Sequence, residues 1–220
     1  MNKNAVQKNI WAGLAPFLNE AGFRILGNTA RRFFPLWIDV IGLQWFGGAL
    51  AKRLECTPNS FSVRLGCYFR FIPSMASLEM MNGEPLPEEA HCHIRKTLFR
   101  AFVQPGCNRK DIWFVDTVGS HLEEITSQLQ VGLSQEALPW FQRFSDLREV
   151  LRILREDSED EAKAFGFGRI QSPVRNLLTG FVALQVGDKK LAATDLQKAL
   201  EAGCFGTLAP KIESAIELAR

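Results

Sequence analysis

The sequence predicts an α+β protein in which a mainly antiparallel sheet of four to five strands packs with helices, followed by an all-helical C-terminal segment. Three observations predict this class. Residues 36–46 are apolar at both alternating positions, which is typical of a strand covered on both faces. Residues 61–71 alternate between large apolar and more polar side chains with the period of a strand. From residue 120 onward, apolar residues recur at helical spacing instead.

The first elements come before these two long strands. Residues 3–21 carry apolar side chains at helical spacing, and Gly22 follows them as a C-terminal stop. Pro16 inside this pattern predicts a kink or a later helix start. Residues 23–26 and 29–34 then read as two short strands around a tight turn.

The segments around the long strands predict connections and two further elements. We expect a loop over 47–60 and an irregular excursion over 73–90, which is rich in Pro, Met and Glu. A helix is predicted over 91–102, and a short aromatic strand over 112–115. The connecting stretch before this last strand contains Pro and Gly.

Helices dominate the remainder of the main domain. We predict helices over 121–133 and from residue 134, the second interrupted by Pro139, and a third over 144–155. The acidic run 156–161 then reads as a solvated boundary segment.

The predicted organisation is an α+β domain over 1–158 and a helical extension over 159–220. Helical patterns near 174–186, 189–202 and 208–219 resemble a tetratricopeptide-type hairpin. One such unit cannot bury its own apolar face, so we expect it to dock on the main domain or on a partner.

The charge balance gives no sign of a polyanionic partner. The net charge is +2, although the first 110 residues carry 14 Lys and Arg against 7 Asp and Glu, and the last 110 carry 12 against 17. Without a tight basic cluster, this asymmetry favours packing of the two halves against each other over nucleic-acid binding.

The cysteines and the most apolar stretch bear on location. The five cysteines, at 56, 67, 92, 107 and 204, include no CxxC pair, which is typical of free thiols in a reducing compartment. The apolar stretch 33–51 contains Pro35, Asp39, Gln44 and two glycines, which argues against a membrane-spanning helix. We therefore expect a cytoplasmic protein without a membrane contact.

Several short motifs occur in a specific order along the first part of the chain. They are Gly22-Phe23, Arg32-Phe33, a strand ending in Gln44, residues 61–66, 92–98 and 111–113, and the run 138–141. In this order they resemble an uncharacterised bacterial family, domain of unknown function 4304 (DUF4304), over roughly residues 10–155. Phe114 stands where the family tends to have a second Trp, and the tail after residue 160 lies outside the pattern. The resemblance implies an α+β domain with a mainly antiparallel sheet. It implies no particular activity or catalytic residue, because none is established for the family.

Histidines and one aspartate are the candidates for a ligand or metal site. His91 and His93 flank Cys92, and Asp111 and His121 could join them in space. Structural zinc usually shows paired ligand spacing, which is absent here, so we expect no metal. The sequence also lacks a complete dinucleotide loop and a Walker-type GK[ST] motif, and we expect no cofactor.

Two further groups of residues are candidates for binding surfaces. Arg64, Tyr68 and Arg70 share one face of a predicted strand and could grip single-stranded nucleic acid, although a solvated face is the simpler interpretation. Trp140, Phe141 and Phe144 form the most aromatic helical patch, which would be an interface if exposed and core packing otherwise. 

Three functional hypotheses follow. The first is a non-enzymatic module that binds another protein, of the inhibitor or immunity type, since no catalytic constellation occurs. The second is an enzyme or small-ligand-binding protein with a pocket between the sheet and residues 73–110. The third is a single-stranded nucleic-acid binder. The sequence does not determine the oligomeric state.

Overall fold

The computed structural model describes residues 2–101, 108–156 and 164–220. Its helices are α1 (Lys3–Glu20), α2 (Gly48–Arg53), α3 (Leu122–Gly132), α4 (Leu138–Arg143), α5 (Leu147–Arg155), α6 (Pro173–Val186), α7 (Lys189–Glu201) and α8 (Ala209–Ala219). Its strands are β1 (Arg24–Leu26), β2 (Thr29–Phe33), β3 (Trp37–Trp45), β4 (Phe61–Phe69), β5 (Met80–Met81), β6 (Glu84–Pro85) and β7 (Ile94–Leu98). Short 3₁₀ turns lie at Glu89–His91 and Gly206–Leu208, and a π-helical turn lies at Leu133–Ala137.

Five of the strands form one antiparallel sheet in the order β1-β2-β3-β4-β7, and β5 pairs with β6 in a separate hairpin. β1 and β2 are joined by a tight turn in which Gly27 has a positive φ of 63°, a conformation that glycine adopts without strain. The apolar strands β3 and β4 lie in the interior of the sheet order. The predicted α+β class, its antiparallel sheet and its helical C-terminal segment are confirmed.

The prediction of a helix over 91–102 is wrong. Residues 89–91 form a 3₁₀ turn, and β7 follows, completing the sheet next to β4. The apolar residues Ile94 and Leu98 are four apart, so they fit a helix as well as a strand. The N–H of His93 donates to the carbonyl of Cys67 at 2.9 Å, a long-range bond that local spacing cannot show. Phe102 of the predicted helix lies outside the described residues.

Three smaller expectations are also corrected. The expected loop 47–60 contains helix α2, and the expected strand at 112–115 is reduced to a single bridge between Trp113 and Phe61. β4 is buried on both faces rather than solvated on one, and β3 and β7 flank it in the sheet.

Pro139 does not interrupt the helical region, contrary to the sequence prediction. The N–H of Leu138 bonds to the carbonyl of Leu133, five residues earlier, and this π-helical turn widens the helix just before the proline. The proline ring would otherwise meet the carbonyl four residues before it. The wider turn therefore lets α3, the π turn and α4 follow one another without a break.

The first of two compact units consists of Met1–Phe33, Asp39–Gly66 and Thr97–Trp140. Val6, Ile10, Leu14 and Leu18 bury one face of α1, and this helix packs on α3. The packing is close at Gly13, where an added methyl group would lie 2.7 Å from the methyl of Thr126.

The second unit consists of Phe34–Ile38, Cys67–Lys96 and Phe141–Arg220. Its helices α6, α7 and α8 form near the predicted ranges and pack consecutively. Gly180 lets α6 approach Leu196 of α7 closely. The predicted domain boundary at residue 158 lies outside the described residues. The docking of a separate tetratricopeptide-like hairpin stays a prediction.

No helix in the described part of the chain is long and apolar enough to cross a membrane.

Candidate ligand-binding pocket

A pocket of about 230 Å³ lies within the second unit. Four parts of the chain line it, namely residues 72–76, the 3₁₀ turn with the start of β7, Gly166, and the first turns of α6. The buried apolar side chains of Ile72, Leu177 and Leu178 form part of its wall. Its polar groups come from His91, His93 and Arg95. This combination of apolar walls and a few convergent polar groups is typical of small-molecule sites.

His93 is held in one orientation by its neighbours on β4. The backbone N–H of Phe69 donates to His93 Nδ1 at 3.0 Å. The imidazole also stacks on the Tyr68 ring, with 5.0 Å between the ring centroids and 25° between the planes. The ring therefore cannot rotate without losing both a hydrogen bond and a stacked contact.

This arrangement fixes the chemical state of the imidazole. Burial lowers the pKa of His93 to about 3, because the charged form is poorly solvated there. The ring is thus neutral near physiological pH, and a neutral imidazole carries one proton. Since Nδ1 accepts the Phe69 N–H, the proton lies on Nε2. No described residue accepts a hydrogen bond from Nε2, and His93 lines the pocket.

His91 and Cys92 are positioned by the turn that precedes β7. The backbone N–H of Glu88 donates to His91 Nδ1 at 3.1 Å, and this bond is half of a capping box at the start of the 3₁₀ turn. The thiol of Cys92 is buried and donates to the Glu88 carbonyl over 3.4 Å. Burial raises the pKa of the neighbouring Tyr68, and the Cys92 thiol adds to this shift.

Among the described residues that line the pocket, Arg95 is the one with a permanent charge. Its backbone pairs in both directions with Phe165, and its guanidinium lies 5.1 Å from the centre of the Phe165 ring. The closest carboxylate oxygen paired with it, Glu89 Oε1, is 3.9 Å from Nε, beyond hydrogen-bond distance. Arg95 Nε is buried with no acceptor among the described residues, while 30% of the side chain remains accessible.

Gly166 allows this approach of the chain to β7. Its φ is 111°, which residues with a side chain rarely adopt. An added methyl group would lie 2.9 Å from Arg95 Nε and 3.0 Å from the His93 carbonyl oxygen. Local sequence patterns do not predict this structural role of Gly166.

The remaining ligand candidates lie in the first unit and are not part of this pocket. Asp111 accepts two hydrogen bonds from Arg109, at 3.0 and 2.6 Å, and the Arg109 hydrogen bond lowers the pKa of this carboxyl. His121 is exposed, has a positive φ of 67°, and lines a wide groove at the start of α3. Across the described residues, no group of three or more His, Cys, Asp or Glu side chains could hold a metal ion.

The nucleic-acid candidates are engaged in contacts within the protein. Arg64 donates to Gln44 at 2.9 Å and to Thr97, and Arg70 forms an ion pair with Glu84 at 2.6 Å. Tyr68 is buried beneath His93 rather than available to stack on a base. The three side chains do not form an open platform of aromatic and cationic groups.

The aromatic interface candidates lie in the core. Trp140, Phe141 and Phe144 are all buried, with at most 4% of their surface accessible. Core packing, the simpler of the two interpretations of this patch, accounts for this burial.

Comparison with known proteins identifies a family. A family model described as "Domain of unknown function (DUF4304)" matches residues 14–143. No curated protein and no solved structure matches the chain. The matched range includes His91, His93 and Arg95, whereas Gly166 and the α6 wall of the pocket lie beyond it.

Proposed function

Because the chain belongs to the DUF4304 family, for which no function is known, we propose from its own geometry that it binds a small organic ligand in the pocket around His93. The observation that carries the proposal is the orientation of this imidazole. One nitrogen is held by the backbone of β4, and the other is a proton donor without a partner among the described residues. A fixed donor at an apolar wall provides directional recognition of a ligand acceptor.

The proposal favours binding over acid–base catalysis at this site. A general base works best when its pKa is near the working pH. With a pKa of about 3, His93 remains neutral at the pH of most cells and neither takes up nor releases a proton there. Its role is thus to donate a hydrogen bond in a constant state.

The dimensions of the pocket support a small ligand. Pockets that enclose drug-sized molecules measure roughly 300–1,000 Å³. At 230 Å³, this pocket is below that range. It fits a molecule with one ring or a short chain.

A protein-observed fragment screen tests the proposal. Isotope-labelled protein is titrated with single-ring and short-chain fragments, and we expect shifts at the backbone amides of Phe69 and His93. His93→Asn keeps an acceptor near the Nδ1 position and removes the Nε2 donor, so it should weaken the hits. His121→Asn is the matched control, because it removes an exposed histidine from the other unit. Absence of any fragment that shifts pocket residues would refute the proposal.

The other sequence-based hypotheses are not part of this proposal. The expectation of a protein-interaction module stays a prediction, and the burial of Trp140 and Phe144 means that these two side chains are not part of an exposed interface. The proposal places the protein in the cytoplasm, where cysteines such as Cys67 and Cys92 remain reduced. Fractionation of source cells tests this location.

A further inference from the structure

We propose that the pocket selects a small monocarboxylate with an apolar body, the carboxylate binding to Arg95 and His93. This inference rests on the proposed function and adds the chemical class of the ligand. Its starting point is the pairing of polar groups around the pocket.

Two side chains at the pocket offer hydrogen-bond donors. His93 presents Nε2–H, and Arg95 presents a guanidinium, which has no acceptor lone pair. Ser74 is engaged with Ala76, since its hydroxyl donates to the Ala76 carbonyl at 2.7 Å and accepts from the Ala76 N–H at 3.2 Å. A ligand that meets these groups must therefore supply acceptors.

Charge strengthens this requirement. The described residues that line the pocket include a cation, Arg95, and no aspartate or glutamate. The ion pair of Arg95 with Glu89 is long at 3.9 Å, and Arg95 Nε is buried with no acceptor in the part of the chain that the structure describes. A carboxylate offers two oxygens to a guanidinium fork and forms charge-assisted hydrogen bonds, which are roughly twice as strong as neutral ones.

The apolar lining requires an apolar body on the ligand. Ile72 and, from α6, Val174, Leu177 and Leu178 contribute to this lining. Three of these four side chains are almost completely buried, so the wall is fixed by the core behind it. A second charge on the ligand would contact this wall and lose its hydration. The site therefore favours a single carboxylate attached to a short chain or one ring.

Pairs of acids and amides of the same shape provide the test. Hexanoate, benzoate and phenylacetate are each compared with the corresponding primary amide by protein-observed NMR titration of the full chain. We expect at least one acid to bind about tenfold more tightly than its amide, as charge-assisted bonds would give. The shifts should map to Phe69, His93 and Arg95.

Single substitutions distinguish the contribution of Arg95 to binding from that of His93. Arg95→Gln should abolish the preference for the acid while leaving affinity for the amide within about twofold. Arg95→Lys keeps the charge without the planar fork and should retain part of the preference. His93→Asn should weaken binding of the acid and of its amide, because both use the Nε2 donor. Thermal melts of each variant verify that it is folded.

The outcomes distinguish this inference from the proposed function. If neutral fragments shift the pocket amides but no acid exceeds its amide, the carboxylate preference is wrong and ligand binding stands. If Arg95→Gln folds and keeps the preference for the acid, the assignment to Arg95 is wrong. If fragments of no charge type bind the pocket, both proposals fail.

Discussion

Replacing His93 by a side chain that does not titrate should make the protein less sensitive to mild acid. Burial lowers the pKa of His93 from its ordinary value of 6.5 to about 3 in the folded state. The unfolded chain therefore binds a proton at higher pH than the folded chain does. As pH falls through 6.5 toward 3, protonation of the unfolded state removes stability, and this loss is absent well above pH 6.5.

The size of the effect follows from these two pKa values. Between pH 7.5 and pH 5, proton linkage at this one residue lowers the free energy of unfolding by about 2 kcal/mol. The full interval between the two pKa values corresponds to about 5 kcal/mol at very low pH. Because His93 keeps some accessible surface in the pocket, both figures are upper values.

Urea denaturation of wild type and His93→Asn at pH 7.5 and pH 5 measures the stability that is lost through protonation of His93. His93→Asn keeps an acceptor for the Phe69 N–H, so the comparison removes the titrating ring while preserving the backbone contact. We expect wild type to lose up to about 2 kcal/mol more than the variant between pH 7.5 and pH 5. Parallel loss in the two proteins, within about 0.3 kcal/mol, would show that His93 titrates similarly in both states and would refute the reasoning.

Three further predictions concern buried groups, each measured by urea denaturation against wild type at pH 7.5. Arg175→Met should cost about 3 kcal/mol, because this buried guanidinium donates to the carbonyls of Gly168 and Leu154, which would lose charged partners; a cost below about 1 kcal/mol would contradict this. Gly180→Val should cost at least about 2 kcal/mol, since even a methyl group there would lie 2.5 Å from Leu196; unchanged stability would mean that α6 and α7 separate freely. Gly166→Ala should cost about 1–2 kcal/mol, because alanine is strained at a φ of 111°. Gly203→Ala is the control, since Gly203 also has a positive φ but an added methyl group there would contact nothing, so its cost measures backbone strain alone.

Local sequence patterns predicted the interior of the sheet well. β3 and β4 were anticipated within two residues at each end, because their burial leaves a continuous or alternating apolar pattern in the chain itself. β7 was predicted as a helix because its five residues carry too little pattern to distinguish the two periods. Its identity depends on pairing with β4, a partner about 30 residues earlier in the sequence.

The pocket was predicted only in part for a related reason. The sequence drew attention to His91 and His93 because histidines are rare in this chain, which has three. It gave no indication that α6, some 80 residues later, would supply the apolar wall. It also suggested Tyr68 as a base-stacking residue, whereas the structure shows it stacked on His93. Residue types are visible in a sequence, but their pairing across long separations is not.

The properties of this site follow from backbone pairing more than from the choice of histidine itself. His93 lies immediately before β7, and its imidazole contacts the adjacent strand β4 through one ring nitrogen. The bond from the Phe69 N–H uses His93 Nδ1 and thereby determines which nitrogen bears the proton. The same pairing brings the stacked ring of Tyr68 beneath the imidazole and excludes water from that face. A single register of β7 against β4 thus sets the tautomer, the lowered pKa and the direction of the donor together. A shift of that register by one residue would reverse the face of every β7 side chain and remove all three properties at once.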